Sequence, residues 1–358
     1  MRVVVGIRHP GGDLAPVYNA VTAFVHRRSA YDVRGFIYPP SAVLLMLPLG
    51  LGSFTHVKEA FDVLDGLAIW GAAFGALRLA GLPPASLRAA GVMAAIALLA
   101  PVAQTLDDGQ VSGLVLLAEV GFLLLLREER GISAAACLGL SIALKPVLIP
   151  LALLLVFHRH WRALAVVVVV PLCLNLAAVA ASVAPQHFLF TTLPLLLGGN
   201  TAHGENVSIA GAAFRLGMPS ALGIAARVIV AAGAVGFIAR IGSDEDDVPV
   251  AMSLLALAFL VASFAWMHYA IFLLPLLPWA VARRGYHNWI ALAALYCLGA
   301  PDLALWLKLG APGFDYLHLR VTAGLGLAVV LIWRAARLPR EVGRSAPIQL
   351  ADSPHLAG

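Results

Sequence analysis

The sequence consists largely of apolar stretches that are long enough to cross a lipid bilayer. A transmembrane helix needs about 20 mostly apolar residues, and about 17 when neighbouring helices shield it. The stretch 131–157 is interrupted by Lys145-Pro146, which favours two short helices that meet at a polar break. Together these stretches predict an all-α polytopic membrane protein with about eleven transmembrane helices. The other predicted spans are 57–78, 89–106, 110–126, 161–184, 219–239, 248–265, 268–282, 287–300 and 320–336.

Charged residues are too few to cover the surface of a water-soluble protein. Only 12% of the 358 residues are charged and 61% are hydrophobic, whereas soluble domains carry about 25% charged residues. This composition excludes a soluble enzyme, a disordered chain and a nucleic-acid-binding protein. The three cysteines, Cys137, Cys173 and Cys297, lie singly in apolar runs and lack the spacing of a disulfide or a metal site.

Arginines occur at every second connection between the predicted spans, and they predict the orientation in the cytoplasmic membrane. Cytoplasmic loops are enriched in Lys and Arg, so residues 339–358 are predicted to form a polar cytoplasmic tail and residues 8–37 to lie outside. The excess of arginine also explains the net charge of +5. Residues 14–25 place apolar side chains on one helical face, which is typical of an amphipathic helix on the membrane surface. The short, proline-rich segment 39–54 is predicted to be a half-helix in the outer leaflet.

Polar residues gather in the predicted outer connections, where an active site is therefore expected. Ionisable residues at membrane depth are costly and usually functional. Nucleotide sugars are not expected outside the membrane, and the sequence contains no Gly-rich phosphate loop. An enzyme there would need an activated donor that the membrane itself delivers, such as a polyprenyl-phosphate sugar. The outer candidates include Asp13, Asp107, Asp108, Gln110, Lys145, Asn206 and His268.

Each of these candidates also has a structural interpretation. Asp13 follows two glycines and precedes the amphipathic segment, so it could be a helix N-cap. Asp107-Asp108-Gly109 could be an ordinary turn, and Lys145 could extend towards the interface. His268 could be a core histidine, and the sequon-like Asn206-Val207-Ser208 could occur by chance.

The sequence resembles glycosyltransferase family 87 of the GT-C superfamily, the multispanning transferases that use polyprenyl-phosphate sugars. The resemblance covers nearly the whole chain in the order of the family. Within the family, the chain is most similar to actinobacterial members that add α-(1→3) arabinofuranose branches to cell-wall arabinan. The segments that carry the resemblance include GDLAPVYNAV at 12–21, YPPSAVLLMLPLG at 38–50, SGLVLLAEVGFLLLL at 112–126, ALKPVLIPLALLL at 143–155, ENVSIAGAAFRLGMP at 205–219 and WMHYAIFLLPLLP at 266–278.

The resemblance implies one membrane-embedded transferase domain over residues 1–338, with a periplasmic active site. It implies decaprenyl-phosphoryl-arabinose as the donor, an arabinan acceptor and Asp13 as the base. Family members carry a spanning helix before the catalytic loop, so that first helix is expected to be missing from this chain, which begins twelve residues before Asp13. No metal or other cofactor is expected. The predicted substrate-binding residues are Lys145, His268, Asp107, Asp108, Gln110, Asn206 and Tyr38.

The chemistry requires activation of an acceptor hydroxyl, because phosphate is already a good leaving group. One carboxylate that acts as general base would give inversion at the anomeric carbon, whereas double displacement would need a second carboxylate such as Asp107 or Asp108. Lys145 could hold the lipid phosphate as a point charge. The alternatives are a mannosyltransferase that uses polyprenyl-phosphate mannose and a transporter. A transporter should show two corresponding broken segments, and the sequence has a single Lys-Pro break.

Overall fold

The computed structural model describes residues 12–194, 206–238, 246–283, 287–299 and 311–335. The predicted polar tail, 339–358, lies outside these residues. Helices form almost all of the described structure, and an isolated antiparallel bridge joins Asn206 and Trp266. The all-α class predicted from the sequence is therefore confirmed for the described part of the chain.

The α-helices follow one another with short connections. Shorter 3-10 helices occupy Ala30–Asp32, Leu47–Leu51, Pro146–Leu151 and Met267–Leu273, and a π-helical turn occupies Phe188–Thr192. The α-helices are α1 (Leu14–Val25), α2 (Pro40–Leu45), α3 (Phe54–Ala80), α4 (Leu87–Leu98), α5 (Ala100–Asp108), α6 (Ser112–Arg127), α7 (Gly131–Leu144), α8 (Ala152–Phe157), α9 (Trp161–Ala181), α10 (Ile209–Arg215), α11 (Ser220–Ile238), α12 (Asp247–Val261), α13 (Leu276–Ala282), α14 (His287–Gly299) and α15 (Ala311–Ala335).

Two of the described helices, α3 and α9, are by themselves long and apolar enough to cross a membrane. The pair α4 and α5 is a third candidate, because the two helices pass the same test together across a bend of 51°. Other apolar helices, including α7 and α12, are shorter. The membrane character is thus supported, whereas the number of eleven crossings stays a prediction.

Helix α1 confirms the helix predicted over 14–25, but its apolar face packs against protein. Leu14, Val17 and Val21 are buried in the core, and α1 contacts α2 and the 3-10 helix Leu47–Leu51. A face that is already covered by the chain is not available to lie in lipid. The location of α1 at the outer membrane surface stays a prediction.

The break predicted at Lys145 is present. Helix α7 ends at Leu144, Lys145 has extended dihedral angles, and the 3-10 helix begins at Pro146. The proline ring prevents α7 from continuing, because proline has no N–H to donate and restricts the residue before it. The segment 39–54, predicted as one half-helix, forms two short helical pieces, α2 and Leu47–Leu51. Its location in the outer leaflet stays a prediction.

Hydrogen bonds from α2 and α9 hold the end of α7 in place. The Ser41 hydroxyl donates to the Ala143 carbonyl oxygen at 2.6 Å, next to the break. The Ser41 N–H in turn donates to the side-chain oxygen of Asn175 on α9 at 3.1 Å. These bonds pair buried polar groups that would otherwise be costly, and they fix where Lys145 leaves the helix.

The orientation can be tested with single cysteines in a chain whose three native cysteines are replaced by alanine. Arg28 follows α1 and Glu129 lies in the arginine-rich connection after α6, and both side chains are exposed. We expect Arg28→Cys to react with a membrane-impermeant maleimide in intact cells, and Glu129→Cys to react only after permeabilisation, because the two connections are predicted on opposite sides. The reverse labelling pattern would place the candidate site on the cytoplasmic side.

Candidate functional site

The centre of the candidate site is the side chain of Lys145. The residue is 7% exposed. Its Nζ donates to Oε1 of Gln110 at 3.3 Å and to Oγ of Ser112 at 3.2 Å, and it lies 4.8 Å from the centre of the Tyr269 ring. A buried ammonium needs such partners, because transfer of a charge out of water costs several kcal/mol, about the stability of a small domain. The structure therefore does not place Lys145 at an interface with water.

Asp13 belongs to the cluster of polar side chains around Lys145. It does not cap α1. It occupies the N-cap position, but its side chain accepts no hydrogen bond from the first turn of the helix. Its backbone N–H donates to the Asp108 carbonyl oxygen at 2.9 Å, which fixes the residue through the main chain. The carboxyl is close enough to Lys145, Tyr38 and Tyr269 for their charges to interact.

Burial changes the acidity of Asp13 and Tyr38. It raises the pKa of the Asp13 carboxyl above its ordinary value, and the nearby Lys145 ammonium partly opposes that rise. Burial also raises the pKa of the Tyr38 phenol, to which the Asp13 charge adds. A carboxylate with a raised pKa is a stronger base, and the Tyr38 phenol stays protonated as a hydrogen-bond donor.

His268 lies beside this cluster, in the 3-10 helix Met267–Leu273. Its ring stacks on Trp266 with 5.9 Å between centroids and meets the Tyr269 ring edge-on at 5.0 Å. The side chain is 2% exposed, and its Nε2 has no hydrogen-bond partner within the described part of the chain. The Tyr269 ring, which His268 meets, also lies 4.8 Å from Nζ of Lys145. The structure therefore brings His268 near Lys145, and its role in substrate binding stays a prediction.

Asp107 and Asp108 end α5 and lie next to the cluster. Gly109 follows them with a φ of +65°, and a Cβ atom there would lie 3.0 Å from Cβ of Leu14. Glycine is needed at this position because the left-handed backbone and the close approach of α1 both exclude a side chain. The turn therefore lets the start of α1 pack against the end of α5, which brings Asp13 to the site.

Asn206 is another predicted substrate-binding residue. Its side-chain amide forms hydrogen bonds with backbone groups. Its Oδ1 accepts the N–H groups of Ser208 at 3.0 Å and Ala265 at 3.1 Å, and its Nδ2 donates to the Ser263 carbonyl at 3.0 Å. These bonds connect the start of α10 to the segment before His268. A substrate role for Asn206 stays a prediction, and the contacts favour a structural role.

Sequence analysis missed three polar residues of the cluster. Asp65 is 1% exposed on α3, and its Oδ1 accepts the Leu114 N–H at 3.1 Å. Ser112 and Tyr269 contact Lys145 directly. The available signal was a carboxylate inside an apolar span, since such residues are usually functional. On the same helix, Lys58 and Asp62 form a buried ion pair at 2.7 Å.

The described residues contain no group of three or more His, Cys, Asp or Glu side chains that could hold a metal ion. The Lys145 ammonium is the group of this cluster that can bind an anion. That the reaction requires no metal stays a prediction.

Comparison with known proteins identifies the family to which the chain belongs. The sequence profile of glycosyltransferase family 87 matches residues 36–267, which is more than half of the chain and includes Tyr38, Lys145 and Asn206. The protein is therefore a membrane-embedded glycosyltransferase. It belongs to glycosyltransferase family 87, and the family resemblance found in the sequence is confirmed.

Curated relatives match over most of their length. The α-(1→3)-arabinofuranosyltransferase of Mycobacterium tuberculosis is 32% identical in an alignment of length 342 that covers 89% of this chain and 77% of the relative. The enzyme of the same name from Corynebacterium glutamicum is 29% identical over 93% of this chain and 81% of its own. That from Mycolicibacterium smegmatis is 28% identical over 90% and 78%, respectively.

Replacement of Asn206 by alanine is expected to destabilise the protein without changing its affinity for substrate. The change leaves two backbone N–H groups and one carbonyl without their partner, which we expect to lower the free energy of unfolding by about 2–4 kcal/mol. Thermal unfolding in detergent measures this loss. Ser208→Ala removes only the hydrogen bond to the Gly211 N–H, so its loss should be smaller, about 1 kcal/mol. Unchanged stability of Asn206→Ala together with weaker substrate binding would instead support the substrate role.

Proposed function

We propose that this protein transfers arabinofuranose from decaprenyl-phosphoryl-arabinose to cell-envelope arabinan, in α-(1→3) linkage, on the outer face of the plasma membrane. The observation that carries the proposal is the position of the Asp13 carboxyl and the Lys145 ammonium in one buried cluster. A base and an anion-binding cation at close range are what transfer from a phosphate-linked sugar requires. The similarity to three α-(1→3)-arabinofuranosyltransferases supports the choice of sugar, acceptor and linkage.

In the proposed reaction, Asp13 is the general base. Its carboxylate takes the proton from the acceptor's 3-hydroxyl while that oxygen attacks the anomeric carbon of the donor. The bond between the anomeric carbon and the phosphate oxygen breaks, and decaprenyl phosphate leaves with the electron pair. One displacement inverts the anomeric carbon, so a β-linked donor gives an α-linked product. General-base catalysis of this kind contributes a rate factor of about 10²–10⁴.

Lys145 is proposed to hold the phosphate of the donor, where negative charge grows as the lipid leaves. The ammonium group can offer a hydrogen to a phosphate oxygen while Gln110 and Ser112 keep it in place. Tyr38 and His268 lie near the same charges and are proposed to contact the substrates. Asp107 and Asp108 border the site and are proposed to contact the acceptor.

The identity of the sugar is tested by supplying the purified full-length protein with either of two donors. We expect transfer from decaprenyl-phosphoryl-arabinofuranose to an arabinan oligosaccharide, and at most trace transfer from decaprenyl-phosphoryl-mannose. The linkage and anomeric configuration of the product are read by nuclear magnetic resonance. Transfer of mannose alone would overturn the proposed sugar and leave the glycosyltransferase class intact, and a β-linked product would overturn inversion.

Replacement of Asp13 by asparagine is expected to lower kcat by about 10²-fold or more, because the amide cannot accept the proton. The backbone should stay in place, since Asp13 is held by its N–H and its side chain caps nothing, but thermal stability should fall somewhat because the amide no longer balances the Lys145 charge. The measurement is the initial rate of transfer at saturating donor. Near-normal turnover would move the base to Asp107 or Asp108.

The pH profile provides a control for this variant. The base works only when ionised, so the rate of the unchanged protein should fall as the pH drops through the pKa of Asp13. Because burial raises that pKa, the fall should begin at a higher pH than for an ordinary aspartate. The residual activity of Asp13→Asn should lack this acidic limb.

A further inference from the structure

Helix α6 begins without a capping residue of its own. Its N-cap position is occupied by Val111, whose side chain cannot accept a hydrogen bond, although the first backbone N–H groups of a helix have no partner inside it. Asp65 of the neighbouring helix α3 fills this role. Its carboxylate accepts the N–H groups of Gly113 and Leu114, with Oδ1 at 3.1 Å from the Leu114 nitrogen.

The close approach of the two helices depends on Gly113. A Cβ atom at this position would lie 2.6 Å from Oδ1 and 2.7 Å from Cγ of Asp65, and 2.8 Å from the Asp65 carbonyl oxygen. Real Cβ atoms do not come so near to such neighbours. Any side chain at residue 113 would therefore displace the carboxylate from the first turn of α6.

The first turn of α6 also holds Lys145. Ser112 is the first residue of the helix and Gln110 lies two residues before it, and both accept hydrogen bonds from Nζ of Lys145. Asp65 and Lys145 are close enough for their charges to interact, and Oδ2 of Asp65 has no hydrogen-bond partner within the described residues. A shift of this turn would move both of the groups that orient the ammonium.

We propose that Asp65 is a positioning residue for the donor phosphate: it caps α6 from α3 and thereby holds Gln110 and Ser112 where they orient Lys145. This inference rests on the proposed function, because it takes Lys145 to be the group that binds the phosphate. Asp65 itself touches neither substrate. Asp65 acts indirectly: it lies on α3 and caps the N-terminus of α6, where the groups that orient Lys145 are located.

The probe is decaprenyl phosphate alone, bound to the full-length protein in detergent and measured by calorimetry. Asp65→Ala is expected to weaken binding about tenfold, because a displaced first turn of α6 no longer orients the ammonium. Asp65→Asn should stay within about threefold of the unchanged protein, because asparagine caps helices about as well as aspartate. Hydrogen exchange at residues 112–115 should accelerate in Asp65→Ala and return to normal in Asp65→Asn.

Glu119→Ala is the matched control. Like Asp65, Glu119 carries a fully buried carboxyl group. It belongs to α6 itself, lies two turns beyond the capped end and has no hydrogen-bond partner among the described residues. Its removal should change neither decaprenyl phosphate binding nor exchange at residues 112–115. If Asp65→Ala does not fold, Asp65→Val provides the same test, since valine has a similar size and its side chain accepts no hydrogen bond.

The outcomes separate this inference from the proposed function. Normal binding by Asp65→Ala or Asp65→Val, even with faster exchange at residues 112–115, would overturn the positioning role and leave the function intact. If Lys145→Ala binds as well as the unchanged protein, Lys145 does not hold the phosphate. That result would overturn both the positioning role of Asp65 and the part of the proposed function that depends on Lys145. Loss of binding in Asp65→Ala that Asp65→Asn does not restore would overturn the capping argument.

Discussion

One buried ammonium group determines the arrangement of the site. Lys145 is removed from water at a break between two helices, and the cost of its burial must be met by partners that distant parts of the chain supply. Gln110 and Ser112 come from the start of α6, Tyr269 from the 3-10 helix Met267–Leu273, and the carboxylates from α3 and from the residue before α1. The position of each of these elements is thus tied to a single charge.

Much of this arrangement could be predicted from the sequence because it follows from local chemistry. The apolar runs predict helices, and Lys145-Pro146 predicts the break, since proline cannot continue α7 and the charge cannot remain inside an apolar helix. The predicted polar residues Asp13, Tyr38 and His268 all interact with the charge of Lys145 or with one another. The predicted side of the membrane groups Asp13 and His268 with Lys145, whereas Tyr38 was predicted from the family resemblance. The side itself stays a prediction.

The contacts that depend on tertiary structure could not be predicted in this way. Asp65 lies inside a predicted span, and its partner is a helix terminus 49 residues away in the chain. Asn206 looked like a substrate ligand because its amide is polar and lies in an outer connection, yet the fold uses that amide to join two backbone segments. Nothing in the local pattern shows which neighbour will satisfy a polar group. The lengths of the spans could not be predicted for a similar reason, because bends such as the one between α4 and α5 depend on packing.

The main-chain hydrogen bond that fixes residue 13 has a consequence for how this enzyme could be observed at work. The bond runs from the backbone N–H to the Asp108 carbonyl, and every amino acid except proline can make it. The backbone position of residue 13 is therefore independent of the side chain that performs the proposed proton transfer. A variant in which only this side chain is replaced would keep its backbone at the site and could hold donor and acceptor side by side. That is the state required for a structure of the complete reactant complex.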